Sequence, residues 1–295
     1  MLDDPRSSAL ADNFAGQWLE LRNLDVVKPD PQKFPDWSPE LRDAMKQETR
    51  LFFDAILREN RPLSEFLDAR YTFLNERLAK HYGIEGVKGP EFRKVELDTP
   101  QRGGILSHGS VLTVSSYPTR TSVVIRGQYI LNNILASPMP PPPVVPPPLD
   151  EAAVGATASL RKQMEQHRAD ATCSSCHNKM DPLGFGLENY DGIGKWRTMD
   201  GKFPVDSSGT LPNGNSFSTP GEMRTVLKTQ LPQFSRCIVQ KMLTYSLGRG
   251  LGSYDRRTVD EIDRKLAANG YGFQSLIYEV VRSLPFQLRR GEHQP

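Results

Sequence analysis

The stretch ADATCSSCHNKMDPLGFG, residues 169–186, holds two cysteines and a histidine in a C-x-x-C-H pattern. The chain has 295 residues but only 3 Cys and 5 His, so their concentration in one short stretch calls for a chemical cause. Cys173 and Cys176 are spaced one helical turn apart, and His177 follows directly.

The pattern meets the three demands of a c-type haem site. Two thiols one helical turn apart can add to the two vinyl groups of one porphyrin, and the adjacent imidazole can then bind the iron. The small Ser174 and Ser175 leave the porphyrin edge unobstructed. The sequence predicts one covalently bound haem c, with Cys173 and Cys176 as thioether anchors and His177 as the proximal iron ligand.

Three other interpretations of the motif stay open. A structural zinc site needs four ligands, and no second C-x-x-C or histidine pair supplies the remainder. A thioredoxin-like dithiol expects a preceding strand, whereas the flanking sequence favours helix. Two structural cysteines would leave the histidine unexplained.

The distal side of the iron has two candidate ligands. Met242 falls on a predicted helix well downstream of the motif, where small cytochromes commonly place their sixth ligand, although a methionine on an apolar helix face also serves as core packing. His167 precedes the motif and could instead interact with a helix C-terminus. Met180, Met199 and Met223 are weaker candidates, and an open distal face is the remaining option.

Composition narrows the class of protein. Hydrophobic residues at 37% and charged residues at 24% are typical of a globular chain rather than a disordered one. The formal net charge of +2, with no block of Lys or Arg, argues against a nucleic-acid partner. No run of about eighteen apolar residues is present, so we expect no membrane span.

The chain divides into four predicted segments. Residues 1–82 form a helical N-terminal module, and residues 83–136 a mixed segment of loop and helix. Residues 137–150 contain eight prolines in fourteen positions, which predicts a polyproline linker. Residues 151–292 form a cytochrome-c-like haem domain with C-terminal helices. The expected fold class is mainly α, with long ordered loops.

Individual helices have recognisable start signals and apolar stripes. Ser38 and Pro39 open a helix as N-cap and first helical residue, and its apolar face is formed by Leu41, Met45, Phe52 and Ile56. A further helix is predicted from Leu63 to Lys80.

Residues 181–220 are predicted to form a long ordered loop region rich in Gly, Asp, Asn and Pro, whose first part, DPLGFGLENYDGIGKWR, would wrap the porphyrin. Its aromatic residues Phe185, Tyr190 and Trp196 would cover the porphyrin edge, with Lys195 or Arg197 near a propionate. Outside the motif, Cys237 is expected to be a lone buried thiol, and His81 and His108 to be structural or exposed.

Nearly the whole chain resembles a known family. The matching pieces are AGQWLELRNL, PDPQKFPDWSPELRDAMKQET, FLNERLAKHYG, RGGILSHGSVLTVSSYPTRTS, VPPPLDE, HRADATCSSCHNKMDPLGFGLENYDGIGKWR and KMLTYSLGRGL. They are similar to large secreted planctomycete-type cytochrome-c-like proteins built from consecutive domains of unknown function. The resemblance implies haem binding and secretion but names no substrate.

The resemblance also bears on localisation. Members of that family are longer at the N-terminus, where they carry a signal peptide and often a further cytochrome-like region. The first residues here, MLDDPRSSALADNFAGQW, lack the basic patch and apolar run of a secretory signal. We expect the chain to be the C-terminal portion of such a protein, located in the periplasm or at the cell surface.

The expected function is outer-sphere electron transfer with an unidentified redox partner. One alternative is a haem enzyme of peroxidase or oxidase type, or the electron-entry domain of a larger redox enzyme. Another is a cell-surface scaffold or binding module in which the haem is structural. No nucleophile elbow, zinc-protease motif, phosphate-binding loop or dinucleotide fingerprint is present.

Overall fold

The chain folds mainly into α-helices, as the sequence predicts. A computed structural model describes residues 4–140, 159–167 and 171–288, so most of the predicted proline linker lies outside the described residues. The α-helices of the described chain are α1 (Gly16–Trp18), α2 (Pro39–Arg58), α3 (Ser64–Asp68), α4 (Glu76–Tyr82), α5 (Gly109–Val114), α6 (Val123–Asn133), α7 (Leu160–His167), α8 (Ala171–Phe185), α9 (Pro220–Thr229), α10 (Leu231–Leu247), α11 (Arg256–Ala268), α12 (Phe273–Arg282) and α13 (Leu284–Gln287). A π-helical turn, Leu10–Ala15, precedes α1.

The β-structure of the described residues is limited to short antiparallel pairs. The strands are β1 (Tyr71–Leu74), β2 (Arg93–Glu96), β3 (Met199–Asp200), β4 (Phe203–Pro204), β5 (Gly209–Thr210) and β6 (Ser216–Phe217), paired in that order. In the first pair Tyr71 lies opposite Glu96 and Leu74 opposite Arg93. The last two pairs fall within the predicted loop region 181–220, whose first residues continue α8 instead.

Helix α2 begins as its sequence predicts. The Ser38 hydroxyl accepts a hydrogen bond from the Leu41 amide at 3.2 Å, and Pro39 occupies the first helical position. Leu41, Met45, Phe52 and Ile56, the predicted apolar face, are all buried. Capping and periodicity, both local signals, were therefore sufficient for this helix.

The single helix predicted from Leu63 to Lys80 is wrong. The structure breaks it into α3, strand β1 and α4. The sequence Tyr-Thr-Phe-Leu of β1 is rich in residues that favour strands, and it pairs with β2. The Asn75 side chain then accepts a hydrogen bond from the Leu78 amide at 3.0 Å, which starts α4 as a new helix.

One hydrophobic core joins parts of the chain that lie on either side of the proline-rich segment. The Trp18 indole donates a hydrogen bond to the carbonyl of Asn133 at 2.8 Å, and its ring lies 6.1 Å from that of Phe234. Phe53 packs edge-on against Phe273 with ring centroids 5.1 Å apart. The N-terminal helices thus share their core with the C-terminal ones. The four segment boundaries stay a prediction.

Helices α6 and α8 cross at unusually short range. A Cβ atom placed on Gly127 of α6 would overlap the carbonyl oxygen of Met180, and one placed on Gly184 of α8 would overlap the carbonyl oxygen of Val123. Each helix therefore offers a glycine at the point where the backbone of the other comes closest. This crossing holds the helix that carries the C-x-x-C-H motif.

A buried arginine ties the chain that follows α8 to the same crossing. Arg126 of α6 is fully buried, and its guanidinium donates to the carbonyls of Leu187, Tyr190 and Asp191, each at 2.7 Å. Burial lowers the pKa of Arg126 to about 10. The three carbonyls satisfy donors that would otherwise be costly in the interior, so the side chain acts as a clamp on this loop.

A second polar cluster is buried between α2, β1, α4 and the start of α5. The Glu48 carboxylate accepts hydrogen bonds from Thr72 at 2.7 Å and from Tyr82 at 2.6 Å. His108 is 2% exposed, and its Nδ1 is hydrogen-bonded to the hydroxyl of Thr49 at 3.0 Å. Burial raises the pKa of Glu48 to about 7 and lowers the pKa of His108 to about 3.

These two shifts predict opposite effects of pH on stability. The raised pKa of Glu48 stabilises the fold below about pH 4.5, and this contribution is lost as the pH rises through 7. The lowered pKa of His108 stabilises the fold above about pH 6.5, and this contribution is lost on acidification. In wild type the two trends largely offset each other between pH 4.5 and 7.

The Glu48→Gln variant isolates the carboxyl contribution. Its unfolding free energy, relative to wild type, should increase by roughly 2–3 kcal/mol between pH 4.5 and 7, because in that range Glu48 of wild type loses its proton in the unfolded chain but keeps it in the folded one, and glutamine does not titrate. Denaturant unfolding at the two pH values measures this difference. A difference in unfolding free energy between the two proteins that does not change with pH would contradict the raised pKa of Glu48.

The helix crossing gives a further prediction. Gly184→Ala should lower the unfolding free energy by about 2 kcal/mol or more, because the new methyl group can fit only if the two helix backbones separate. The matched control is Gly16→Ala, in α1, where a Cβ meets no atom within 4 Å. That control should be neutral or stabilising by up to about 1 kcal/mol. Equal effects of the two substitutions would refute the close crossing.

Candidate functional site

The three motif residues lie on one helix. Cys173, Cys176 and His177 all belong to α8, so the one-turn spacing expected of the two cysteines is present in the backbone. The side chain of Cys173 lies outside the described part of the structure. Pro182 lies inside the same helix, near its C-terminal end.

Cys176 is a free, partly exposed thiol that packs against the edge of the main hydrophobic core. The hydroxyl of Ser175 lies 3.9 Å from its sulfur. A thiol in this position can be reached from solvent on one side and has an apolar surface on the other. Both features suit a residue that must react with, and then hold, a large apolar group.

The imidazole of His177 is oriented by a carboxylate one turn further along α8. Its Nδ1 lies 2.9 Å from Oδ1 of Asp181, and the His177 side chain is 12% exposed whereas that of Asp181 is fully buried. An ionised carboxylate has no proton to donate, so Nδ1–H is the donor in this pair. In this tautomer Nε2 is the ring nitrogen that carries the lone pair.

Asp181 is the residue of the site that reasoning from the sequence missed. Its signal was the spacing of four residues after His177, which places two side chains on the same face of a helix. The spacing becomes informative only once α8 is known to continue through Asp181. The predicted start of a loop at residue 181 concealed it.

The two distal-ligand candidates lie on different helices. Met242 lies on α10 with 3% of its side chain exposed, inside the main hydrophobic core. Helix α10 packs chiefly against α11 and α12, whereas α8 packs chiefly against α6. His167 is the last residue of α7, and its side chain lies outside the described residues. A distal role for either residue stays a prediction.

The weaker methionine candidates are placed as follows. Met180 is buried on α8 itself and contributes its carbonyl to the crossing with α6. Met223 is fully buried on α9 and packs against Gly186. Met199 is 48% exposed on β3. Met164 of α7 packs with Phe185 in a small cluster beside α8.

The two cations predicted to lie near a porphyrin propionate are engaged with carboxylates of the chain. Arg197 contacts Glu188 at 2.9 Å and Asp200 at 2.7 Å. Lys195 contacts Asp36 at 2.7 Å. These ion pairs fasten the loop after α8 to itself and to the N-terminal part of the chain.

The aromatic residues of the same loop are mostly interior. Phe185 and Tyr190 are buried, and Tyr190 packs edge-on against Trp196 with ring centroids 5.4 Å apart. The Tyr190 hydroxyl donates to the carbonyl of Gln101. The guanidinium of Arg161 lies 4.0 Å from the centre of the Phe185 ring. These contacts pack the loop against the rest of the chain, and a role of its aromatic residues at a porphyrin edge stays a prediction.

The remaining cysteine and histidines have structural environments. Cys237 is 1% exposed, its thiol lies 3.4 Å from the carbonyl of Asn133, and burial raises its pKa. His81 is buried with Nε2 at 2.8 Å from the carbonyl of Ile193, and burial lowers its pKa. Both fit the structural roles predicted for them.

The donor set on α8 is compatible with a covalently held haem. Such a group needs two thiols on one helical turn and one imidazole nitrogen, and α8 offers this spacing, with Nδ1 of His177 held by Asp181 and Nε2 on the other side of the ring. Among the described residues, no three side chains of His, Cys, Asp or Glu are grouped as a metal site. Within the same ranges, no helix combines the length and apolar character needed to cross a membrane.

Three protein families match successive parts of the chain. Residues 1–84 match a family described as protein of unknown function (DUF1592), and residues 102–200 match another with the same description (DUF1588). Residues 213–286 match a third, again described as protein of unknown function (DUF1585). No curated protein and no solved structure matches the chain. The chain is therefore built from consecutive domains of unknown function, as the resemblance implied.

Proposed function

We propose that this succession of three domains of unknown function is a monohaem, c-type cytochrome-like protein that transfers electrons. Cys173 and Cys176 are its thioether anchors, and His177 is its proximal ligand. When bound, the haem supplies a one-electron couple, while the chain supplies the axial ligand, the low-dielectric surroundings and a surface for a redox partner. Covalent attachment takes place outside the cytoplasm, so the proposal includes a periplasmic or cell-surface location.

The observation that carries the proposal is the arrangement of the motif on α8. The two cysteine positions and the histidine share one helical turn, and the His177 ring is already held through Nδ1. Histidines that bind metals commonly donate the proton of their other ring nitrogen to a carboxylate, and the buried Asp181 supplies this partner to His177. The firm seating of α8 on α6 supports the same conclusion, because a ligand helix has to be rigid.

The direct test is the intact mass of the protein after export through a bacterial cytochrome maturation pathway. We expect the mass of the chain plus one haem, with a Soret band that persists after denaturation because the attachment is covalent. The Cys173→Ala, Cys176→Ala double variant should lose this added mass. The matched control, Cys237→Ala, removes a thiol outside the motif and should keep it.

Protein that is exported, folded and colourless, with only the mass of its amino acids, would overturn the proposal. So would loss of haem in the Cys237→Ala control to the same extent as in the double variant.

The carboxylate at His177 also favours a second candidate function, a haem enzyme of peroxidase or oxidase type. A carboxylate partner strengthens the imidazole as an electron donor, and proximal histidine ligation is shared by peroxidases. In that case the distal face has to be accessible to a small oxidant. This candidate differs from the first in a measurable property of the sixth iron position.

Spectra of the reduced, haem-loaded protein distinguish the two candidates. An electron carrier with Met242 or another residue as sixth ligand should be low-spin and indifferent to carbon monoxide and cyanide. Where Met242 is the sixth ligand, Met242→Ala should open the site to carbon monoxide, while Met223→Ala, a buried methionine on α9, should not. A high-spin wild type that binds carbon monoxide would instead support the enzyme.

A further inference from the structure

The pair formed by His177 and Asp181 is more constrained than an ordinary helix-surface interaction. Asp181 has a fully buried side chain, and Oδ1 lies 2.9 Å from Nδ1 of His177. Ion pairs at this spacing on exposed helices contribute little, because solvent competes with them and both side chains move. Here the carboxylate is shielded from solvent, so its interaction with the ring is stronger.

The backbone around Asp181 is also held in place. The preceding residue, Met180, presents its carbonyl to Gly127 of α6, and Gly184 lies against the carbonyl of Val123. Asp181 therefore lies between two points at which α8 touches the neighbouring helix. The backbone position from which its carboxylate reaches His177 is therefore fixed by the crossing with α6.

The chemistry of this contact bears on the iron. A carboxylate that accepts the Nδ1 proton makes the opposite nitrogen, Nε2, a stronger donor than a neutral acceptor would. A stronger axial donor stabilises the ferric state, which carries the additional positive charge, more than the ferrous state. The buried negative charge of the carboxylate acts in the same direction.

We propose that Asp181 is a positioning residue of the iron site, which fixes the ring of His177 through Nδ1 and shifts the redox equilibrium toward ferric iron. This inference rests on the proposed haem function and deepens it. Asp181 does not touch the iron and acts only through His177. In this proposal Asp181 influences the reduction potential and has no part in the attachment of haem.

The test uses the full haem-loaded chain and the Asp181→Asn variant. Asparagine keeps a neutral oxygen acceptor at the same position, so the ring can stay in place while the negative charge is lost. We expect the ferrous-to-ferric equilibrium to shift at least tenfold toward ferrous iron, which for a one-electron couple is a rise of 59 mV in midpoint potential. Potentiometric titration followed at the haem absorption bands measures it.

The matched control is Asp263→Asn on α11. There Oδ1 accepts a hydrogen bond from the hydroxyl of Ser235 at 2.5 Å, an acceptor function that asparagine retains. The control removes one negative charge from a partly buried carboxylate without touching His177. Its equilibrium should stay within threefold of wild type. A shift of less than tenfold in Asp181→Asn, or an equal shift in both variants, overturns the proposal.

A measurement on the wild type covers the case in which Asp181→Asn fails to fold. In the reduced, haem-loaded protein labelled with ¹⁵N-histidine, the Nδ1 proton of His177 should be visible by NMR and protected from exchange with water. A proton that exchanges as fast as that of a solvent-exposed histidine would overturn the proposal without any variant.

The two levels of the proposal fail in different ways. If wild type acquires no haem, the proposed function fails and the role of Asp181 fails with it. If wild type and both variants carry haem with the same potentials, the haem function stands and only the role of Asp181 is refuted.

Discussion

The close crossing of α6 and α8 is the contact on which the rest of the structure depends. Gly127 and Gly184 allow each helix to approach the backbone of the other, with the carbonyls of Met180 and Val123 at the points of contact. Any larger residue at either position would force the helices apart. The position of α8, which carries the C-x-x-C-H motif, therefore depends on having glycine at both contact points.

The polar interactions around this crossing extend its rigidity to the neighbouring loop. Arg126 gathers three carbonyls of the chain after α8, and Arg197 joins Glu188 and Asp200 within that loop. Lys195 connects the loop to Asp36 near the N-terminus. The ion pairs of Arg197 are partly buried, so leaving its guanidinium or Glu188 unpaired would be costly, whereas the half-exposed pair of Lys195 and Asp36 contributes little.

The chain sequence was most informative where the relevant interaction is local. The N-cap at Ser38, the apolar face of α2 and the helical turn of the motif all depend on residues within a few positions of one another. The predicted helix from Leu63 to Lys80 failed for the opposite reason, because β1 forms only by pairing with β2, about twenty residues further along. Asp181 escaped notice because a proline follows it, and proline normally marks the end of a helix rather than its continuation.

By itself, the sequence determined the residue types and spacing of Cys173, Cys176 and His177, the mainly helical fold class and the apolar faces of the helices. These follow from composition and from periodicities that are independent of distant contacts. Only the tertiary structure shows that α8 packs against α6 and that the N-terminal helices share a core with α10 and α12. It also shows that the buried carboxylate of Asp181 orients the motif histidine. Each of these depends on which surfaces meet, and close approach at Gly127 and Gly184 is a property of two backbones together rather than of either sequence segment alone.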